Sequence, residues 1–154
     1  MEKIIERIIA NTDLAKLTIT SIPDIPGIAS ILFSHLGEAG FNIETISQNS
    51  TSKNTCDIVF TIKESEVEKV IDYIRSQIKE FKTQKIFTNK NIALITIFGE
   101  KIAKTPGFAG KIFSIVAEVG ANIENITASM MTISFLISKD KTDSVVNTLK
   151  KELA

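Results

Sequence analysis

One stretch of this chain is written twice. Pro26-Gly-Ile-Ala-Ser-Ile-Leu-Phe-Ser-His-Leu-Gly-Glu-Ala-Gly-Phe-Asn-Ile-Glu-Thr-Ile46 recurs as Pro106-Gly-Phe-Ala-Gly-Lys-Ile-Phe-Ser-Ile-Val-Ala-Glu-Val-Gly-Ala-Asn-Ile-Glu-Asn-Ile126, with eleven of twenty-one positions identical and no gap. Self-similarity of this kind marks a duplicated folding unit. The chain has 154 residues, so two copies make two small domains of roughly 70 residues each. The repeated part holds a Pro-Gly at a helix start, which twice offers unpaired amides to a small anion.

Each copy is legible element by element. In the first, Leu17-Thr-Ile-Thr alternates as a strand, and Pro23-Asp-Ile-Pro-Gly27 forms a tight loop into a helix from Gly27 to Ala39, ended by Gly40. Comparing copies identifies the buried face. Ile28, Ala29, Leu32, Phe33 and Leu36 match Phe108, Ala109, Ile112, Phe113 and Val116, whereas Ile31 matches Lys111 and is peripheral. Strands follow at Ile43–Gln48 and Thr55–Ile62, then a capping box Ser65-Glu-Val-Glu68 opens a second helix. Phe81–Phe87 closes the unit as a strand. This order, β-α-β-β-α-β, predicts an α+β ferredoxin-like domain.

The second copy runs through strand Ile92–Phe98, helix Gly107–Val119, strands Asn122–Ser129 and Met131–Ser138, and a last helix to about Leu153. It has no fourth strand after that helix. Ile8-Ile-Ala-Asn-Thr-Asp-Leu-Ala-Lys-Leu-Thr-Ile19 aligns with Ile86-Phe-Thr-Asn-Lys-Asn-Ile-Ala-Leu-Ile-Thr-Ile97. Ile4–Ile9 is therefore expected to supply the missing edge. The expected domains are 11–88 and 89–154, with residues 1–10 adding a strand to the second.

Composition excludes several functions. Apolar content of 44% with 23% charged residues is that of a soluble globular protein. No apolar run approaches the ~20 residues of a membrane span, and charges break up the start of the chain where a signal peptide would lie. Zero formal net charge with two arginines, Arg7 and Arg75, gives no footprint for nucleic acid. An RNA-binding domain of the same element order needs aromatic residues on its middle strands, which offer only Phe60 and Phe135. The lone Cys56 cannot form an internal disulfide, which fits the cytoplasm.

No catalytic constellation emerges. Neither arginine sits in a glycine-rich loop, and no phosphate loop or magnesium-binding carboxylate cluster is present, so a small ferredoxin-like enzyme is the weaker reading. Cys56 lacks a partner base and reads as a structural thiol. His35 has no second histidine to share a metal, and Met130-Met131 reads as interface filler. No catalytic residue, metal or cofactor is expected.

The chemistry that remains is recognition. The loop Asp24-Ile25-Pro26-Gly27 delivers the positive end of a helix dipole, with Gly27 allowing close approach. Asp24 can accept from an α-ammonium or hydroxyl, and the Gln48-Asn49 amides can both donate and accept. Together these groups complement a small zwitterion. The same residues also fit an ordinary turn, in which Asp24, Pro26 and Gly27 are turn formers and Gln48-Asn49 a hairpin shoulder.

The Pro-Gly before each helix and Gly40-Phe-Asn-Ile-Glu44 resemble ACT domains, small-molecule-sensing units of amino-acid metabolism. Asp13-Leu-Ala-Lys-Leu-Thr-Ile19, Pro23-Asp-Ile-Pro-Gly27, Ile46-Ser-Gln-Asn49 and Cys56-Asp-Ile-Val-Phe-Thr61 resemble the first ACT domain of aspartate kinase regulatory regions. Thr105-Pro-Gly107, Ala121-Asn-Ile-Glu124 and Ala128-Ser-Met-Met-Thr-Ile-Ser134 resemble the second. The resemblance covers essentially the whole chain, and the kinase domain of that family is not in it. It implies an allosteric module that senses threonine or lysine for feedback control, alone or with a kinase catalytic domain in cis or in trans. A free-standing ACT sensor for another enzyme is the alternative. The implied effector contacts are Asp24, Ile25, Pro26, Gly27, Ile28, Ala29, Gln48, Asn122 and Ile123, with Ser129 a further candidate. Ile25 departs from the family's basic residue and Met130 from its glutamate, which favours threonine over lysine. The implied assembly is a homodimer with sheets side by side, and the implied site is one pocket composed from unequal halves. Deleting residues 1–10 is expected to raise hydrogen exchange in the second copy more than in the first.

Overall fold

A computed structural model describes residues 3–153. In chain order the elements are β1 (Arg7–Asn11), β2 (Leu14–Pro23), α1 (Ile28–Glu38), β3 (Thr45–Ser50), β4 (Thr55–Lys63), α2 (Val67–Gln77) and β5 (Ile86–Asn89). The second half continues with β6 (Ala93–Phe98), α3 (Phe108–Glu118), β7 (Glu124–Ala128), β8 (Thr132–Ile137) and α4 (Thr142–Leu153). They divide into two units. One is Asp13–Lys90, and the other joins the segment ending at Thr12 to the stretch beginning at Asn91.

The first unit is an antiparallel sheet of order β3-β4-β2-β5, the ferredoxin-like arrangement expected from the element order. Alternation on β2 sends Ala15, Leu17 and Ile19 into the core, where Ile58, Phe60 and Ile62 of β4 meet them. Leu32 and Leu36 of α1 and Val70 and Ile74 of α2 cover that face. Ile31 packs only at the margin of this core, as the comparison of copies predicts.

The second unit repeats the plan with order β1-β6-β8-β7. Its missing strand is β1, which pairs antiparallel with β6. The repeat extends to register: Lys16 opposes Asn89 in the first sheet, and Leu94 opposes Asn11 in the second. An edge-to-face aromatic pair is also repeated, Phe33–Phe60 at 5.5 Å and Phe113–Phe135 at 5.9 Å. Each such pair adds about 0.5–1.5 kcal/mol beyond burial.

Three local expectations are corrected. Ser65 caps nothing: Glu64–Glu66 form a 3-10 turn, and α2 begins at Val67 without a side-chain cap. The fourth strand begins at Ile86 rather than Phe81, because a 3-10 turn over Lys79–Phe81 drives the Phe81 ring into the core. The N-terminal strand likewise lies at Arg7–Asn11 rather than Ile4–Ile9. Its preceding residues are used differently, with Ile5 buried and the Glu6 carboxylate accepting from Glu100 N at 3.1 Å. Among the described residues no helix is long and apolar enough to cross a membrane.

The N-terminal segment crosses Gly99 so closely that a Cβ there would lie 2.0 Å from the Ile4 carbonyl oxygen. Gly99→Ala is therefore expected to destabilise the protein by about 1–3 kcal/mol in denaturant unfolding. Gly37→Ala and Gly110→Ala lie inside helices with open space at the new Cβ, and each should stabilise by up to about 1 kcal/mol.

Candidate effector site

The approach to α1 begins with a kink in β2. The β2–β4 register shifts between Ile19 and Ile22, and Ser21 adopts φ 55°. The Asp57 carboxylate stabilises the kink by accepting from Ser21 N at 3.0 Å. Beyond it, Asp24 N donates to Asn54 O at 3.0 Å, tying the loop to the β3–β4 hairpin. Gly27 takes φ 91°, a left-handed conformation suited to glycine, and no side chain caps the helix it opens. Ile28 N donates to Ile25 O at 3.3 Å, which leaves the Ala29 and Ser30 amides of the first turn open to an anionic group.

Asp24 is exposed, and its Oδ2 accepts from the Ser50 hydroxyl at 2.9 Å. Ser50 ends β3 and shares a face with Gln48, two residues earlier. Opposite Ser50 lies Cys56 of β4, fully buried, which also opposes Ile22 of β2. Burial pushes the Cys56 thiol above its ordinary value of 9.0, and the Asp24 carboxylate adds to the rise. A hydrogen bond with the Gln48 side chain works the other way, while Asp57 raises the value further. Asp24, Gln48 and Ser50 therefore converge above one thiol.

The remaining expected residues fall in different situations. Ile25, Pro26 and Gly27 are exposed along the loop, and Asn49 is exposed opposite Asp57. Ile28 is 3% exposed and committed to the core, and its N–H donates to Ile25 O, so it is not a ligand contact as expected; Ala29 is half-buried. Asn122, Ile123 and Ser129 belong to the second unit. Asn122 is exposed and Ile123 packs against the core there. The Ser129 hydroxyl is engaged in its own turn, accepting from Thr132 N at 3.1 Å and pairing with Thr132 Oγ1 at 2.8 Å. Sequence reasoning missed Ser50 and the nearness of Cys56. The period-two relation of Ser50 to Gln48 is the signal that points to the first; the second needs the strand register.

A family model for the ACT domain matches this chain twice, over residues 20–77 and 95–153. The chain belongs to the ACT-domain family. Over 148 residues it is 29% identical to an aspartate kinase of Pseudomonas fluorescens, covering 96% of this chain and 36% of that one. An aspartokinase of Thermus thermophilus is also 29% identical, covering 95% and 36% respectively. This ACT-domain chain thus spans little more than a third of the kinases it matches. Among solved structures it resembles the ligand-free regulatory subunit of aspartate kinase from Thermus thermophilus, at 27% identity and a TM-score of 0.88. The match covers 99% of this chain and 100% of that one. The aspartate kinase from Synechocystis gives the same TM-score at 26% identity, with 98% of this chain matched to 27% of that one.

The raised Cys56 value has a consequence for pH. The unfolded chain ionises its thiol first, so the stabilisation is full below 9.0 and is lost as pH rises through the folded value. Between pH 7 and about pH 10, denaturant unfolding should show a greater stability loss for the native chain than for Cys56→Ala.

Proposed function

We propose that this ACT pair is the regulatory module of an aspartate kinase and that its first unit binds a free amino acid, threonine in preference to lysine. The observation that carries this reading is the convergence of Asp24, Gln48 and Ser50 beside an uncapped helix start. The ligand carboxylate would lie on the Ala29 and Ser30 amides of the first turn, stabilised by the helix dipole. The α-ammonium would meet the Asp24 carboxylate, which retains acceptor capacity beyond its bond from Ser50. Gln48, on the same strand face as Ser50, would turn its amide to a side-chain hydroxyl, while Asn49 lies on the other face of β3 and takes no part. The likeness to a regulatory subunit over its whole length supports the regulatory role.

Binding would favour one arrangement of the module over another and pass that preference to a catalytic domain, in the same chain or on a separate subunit. A coupling of about 1–3 kcal/mol changes a linked affinity by roughly 5- to 150-fold. A homodimer through sheet edges is supported by Ile46 on β3 and Ile126 on β7, which are 49% and 51% exposed on equivalent edge strands. Calorimetric titration of the full chain should show saturable binding of L-threonine. Loss of a charge-assisted contact in Asp24→Ala should weaken it roughly 10- to 100-fold. Absence of both heat and a Tm shift with any amino acid would overturn the reading.

A further inference from the structure

The last helix of each unit is followed by different surroundings. Val67, Val70 and Ile74 are the buried residues of α2, and Thr142, Val145 and Leu149 are those of α4 at the same spacing, so Lys150 stands where Arg75 stands. In the first unit a 3-10 turn over Lys79–Phe81 leads from α2 towards β5. The Arg75 guanidinium donates to the carbonyls of Phe81, Lys82 and Gln84 along that connection. Among the described residues no such connection follows α4, because β1 enters the second sheet from the other end of the chain. Lys150 instead lines a hollow of about 370 Å³ with Lys3, Ile5, Glu6, Arg7 and Ile8, all within the second unit. That volume falls within the ~300–1,000 Å³ of small-molecule sites.

The charges around this hollow are not balanced from within. Lys3, Arg7 and Lys150 bring cations to it, and Glu6 brings the carboxylate. That carboxylate accepts from Glu100 N at 3.1 Å. Among the described residues Lys3, Arg7 and Lys150 make no ion pair. Arg7 is held by stacking, its guanidinium carbon 4.4 Å from the centroid of the Phe98 ring. Stacking fixes the plane of the fork and leaves its N–H edges free to donate. Ile5 and Ile8 give the hollow an apolar wall. Like charges gathered at one place repel each other, and an anion seated among them removes that cost.

We propose that this hollow binds a small organic phosphate monoester. Such a group carries a charge of about −1.5 to −2 at pH 7 and three strong acceptor oxygens. The Arg7 fork would meet it bidentately, and the ammonium groups of Lys3 and Lys150 would act as point charges on either side. The organic part would lie against Ile5 and Ile8. A carboxylate offers fewer oxygens and less charge to the same cations. A nucleic acid would need an extended basic surface, which a chain of zero net charge with two arginines does not supply. The bound phosphate would tie the segment before β1 to α4. The inference stands apart from the amino-acid reading, because it uses none of the first unit's residues.

The test is calorimetric titration of the full chain with phenyl phosphate, inorganic phosphate and benzoate. Phenyl phosphate should bind saturably, inorganic phosphate more weakly for want of the apolar contact, and benzoate weakest. Arg7→Gln and Lys150→Gln should each weaken phenyl phosphate roughly tenfold or more through loss of a charge-assisted contact, with unfolding midpoints confirming that each variant folds. Glu6→Gln keeps an oxygen for Glu100 N and removes the opposing charge, so it should bind phenyl phosphate more tightly. Lys63→Gln, away from the hollow, should bind like the native chain. No saturable binding of phenyl phosphate, benzoate binding as tightly, or native affinity in both Arg7→Gln and Lys150→Gln would each overturn the proposal. Equal loss in Lys63→Gln would reduce it to non-specific attraction, and inorganic phosphate binding as tightly as phenyl phosphate would overturn the organic monoester. A glutamate-rich peptide that binds more tightly than phenyl phosphate would overturn it in favour of an acidic segment of a protein partner.

Discussion

Pairing of β1 with β6 is the constraint on which the second half of this protein depends. A two-layer unit of this kind needs a fourth strand beside its first, or the edge of β6 and the core beneath it stay open to water. Among the described residues no strand follows α4. The chain's first strand takes the position, in the register that β5 uses in the first unit. The first unit is thereby inserted into the second, and its two ends are held by short connections on either side of Asp13–Lys90. Gly99 carries the cost of this arrangement, since only a residue without Cβ lets the Ile4 carbonyl pass.

Within this frame the two copies keep their scaffold and differ in their chemistry. Both open a helix from a left-handed glycine, Gly27 at φ 91° and Gly107 at φ 79°, with no side-chain cap. Both bury the same edge-to-face aromatic pair. The residues beside the helix start are not constrained by packing and have diverged. In the first unit they are Asp24, Gln48 and Ser50 around a buried thiol. In the second they are Lys104, Glu100 and two exposed methionines.

Much of this architecture is legible in the order of residues. The element order, the borrowed edge strand and most of the buried face of each helix follow from periodicity and the internal repeat, because these report local backbone preference and burial directly; Ala109, expected on that face, is exposed, and Ile115 is buried instead. Strand and helix ends are less legible. Phe81 has the residue type of a strand yet sits in a 3-10 turn, and Ser65-Glu-Val-Glu68 has the pattern of a capping box without making its bonds. In both cases burial of a neighbouring apolar side chain outweighs a local preference worth about 1 kcal/mol.

The sequence by itself determined the duplication, the ferredoxin-like order, the Pro-Gly helix starts and the identity of Asp24 and Gln48 as polar groups near one of them. Tertiary structure alone decided that Ser50 reaches Asp24, that Cys56 lies under both Asp24 and Gln48, and that Lys150 lines one hollow with Lys3 and Arg7. The physical reason is range. Periodicity records what each residue prefers within a few positions of itself, whereas Asp24 and Ser50 are brought together by strand register and by Asp24 N bonding the far hairpin at Asn54.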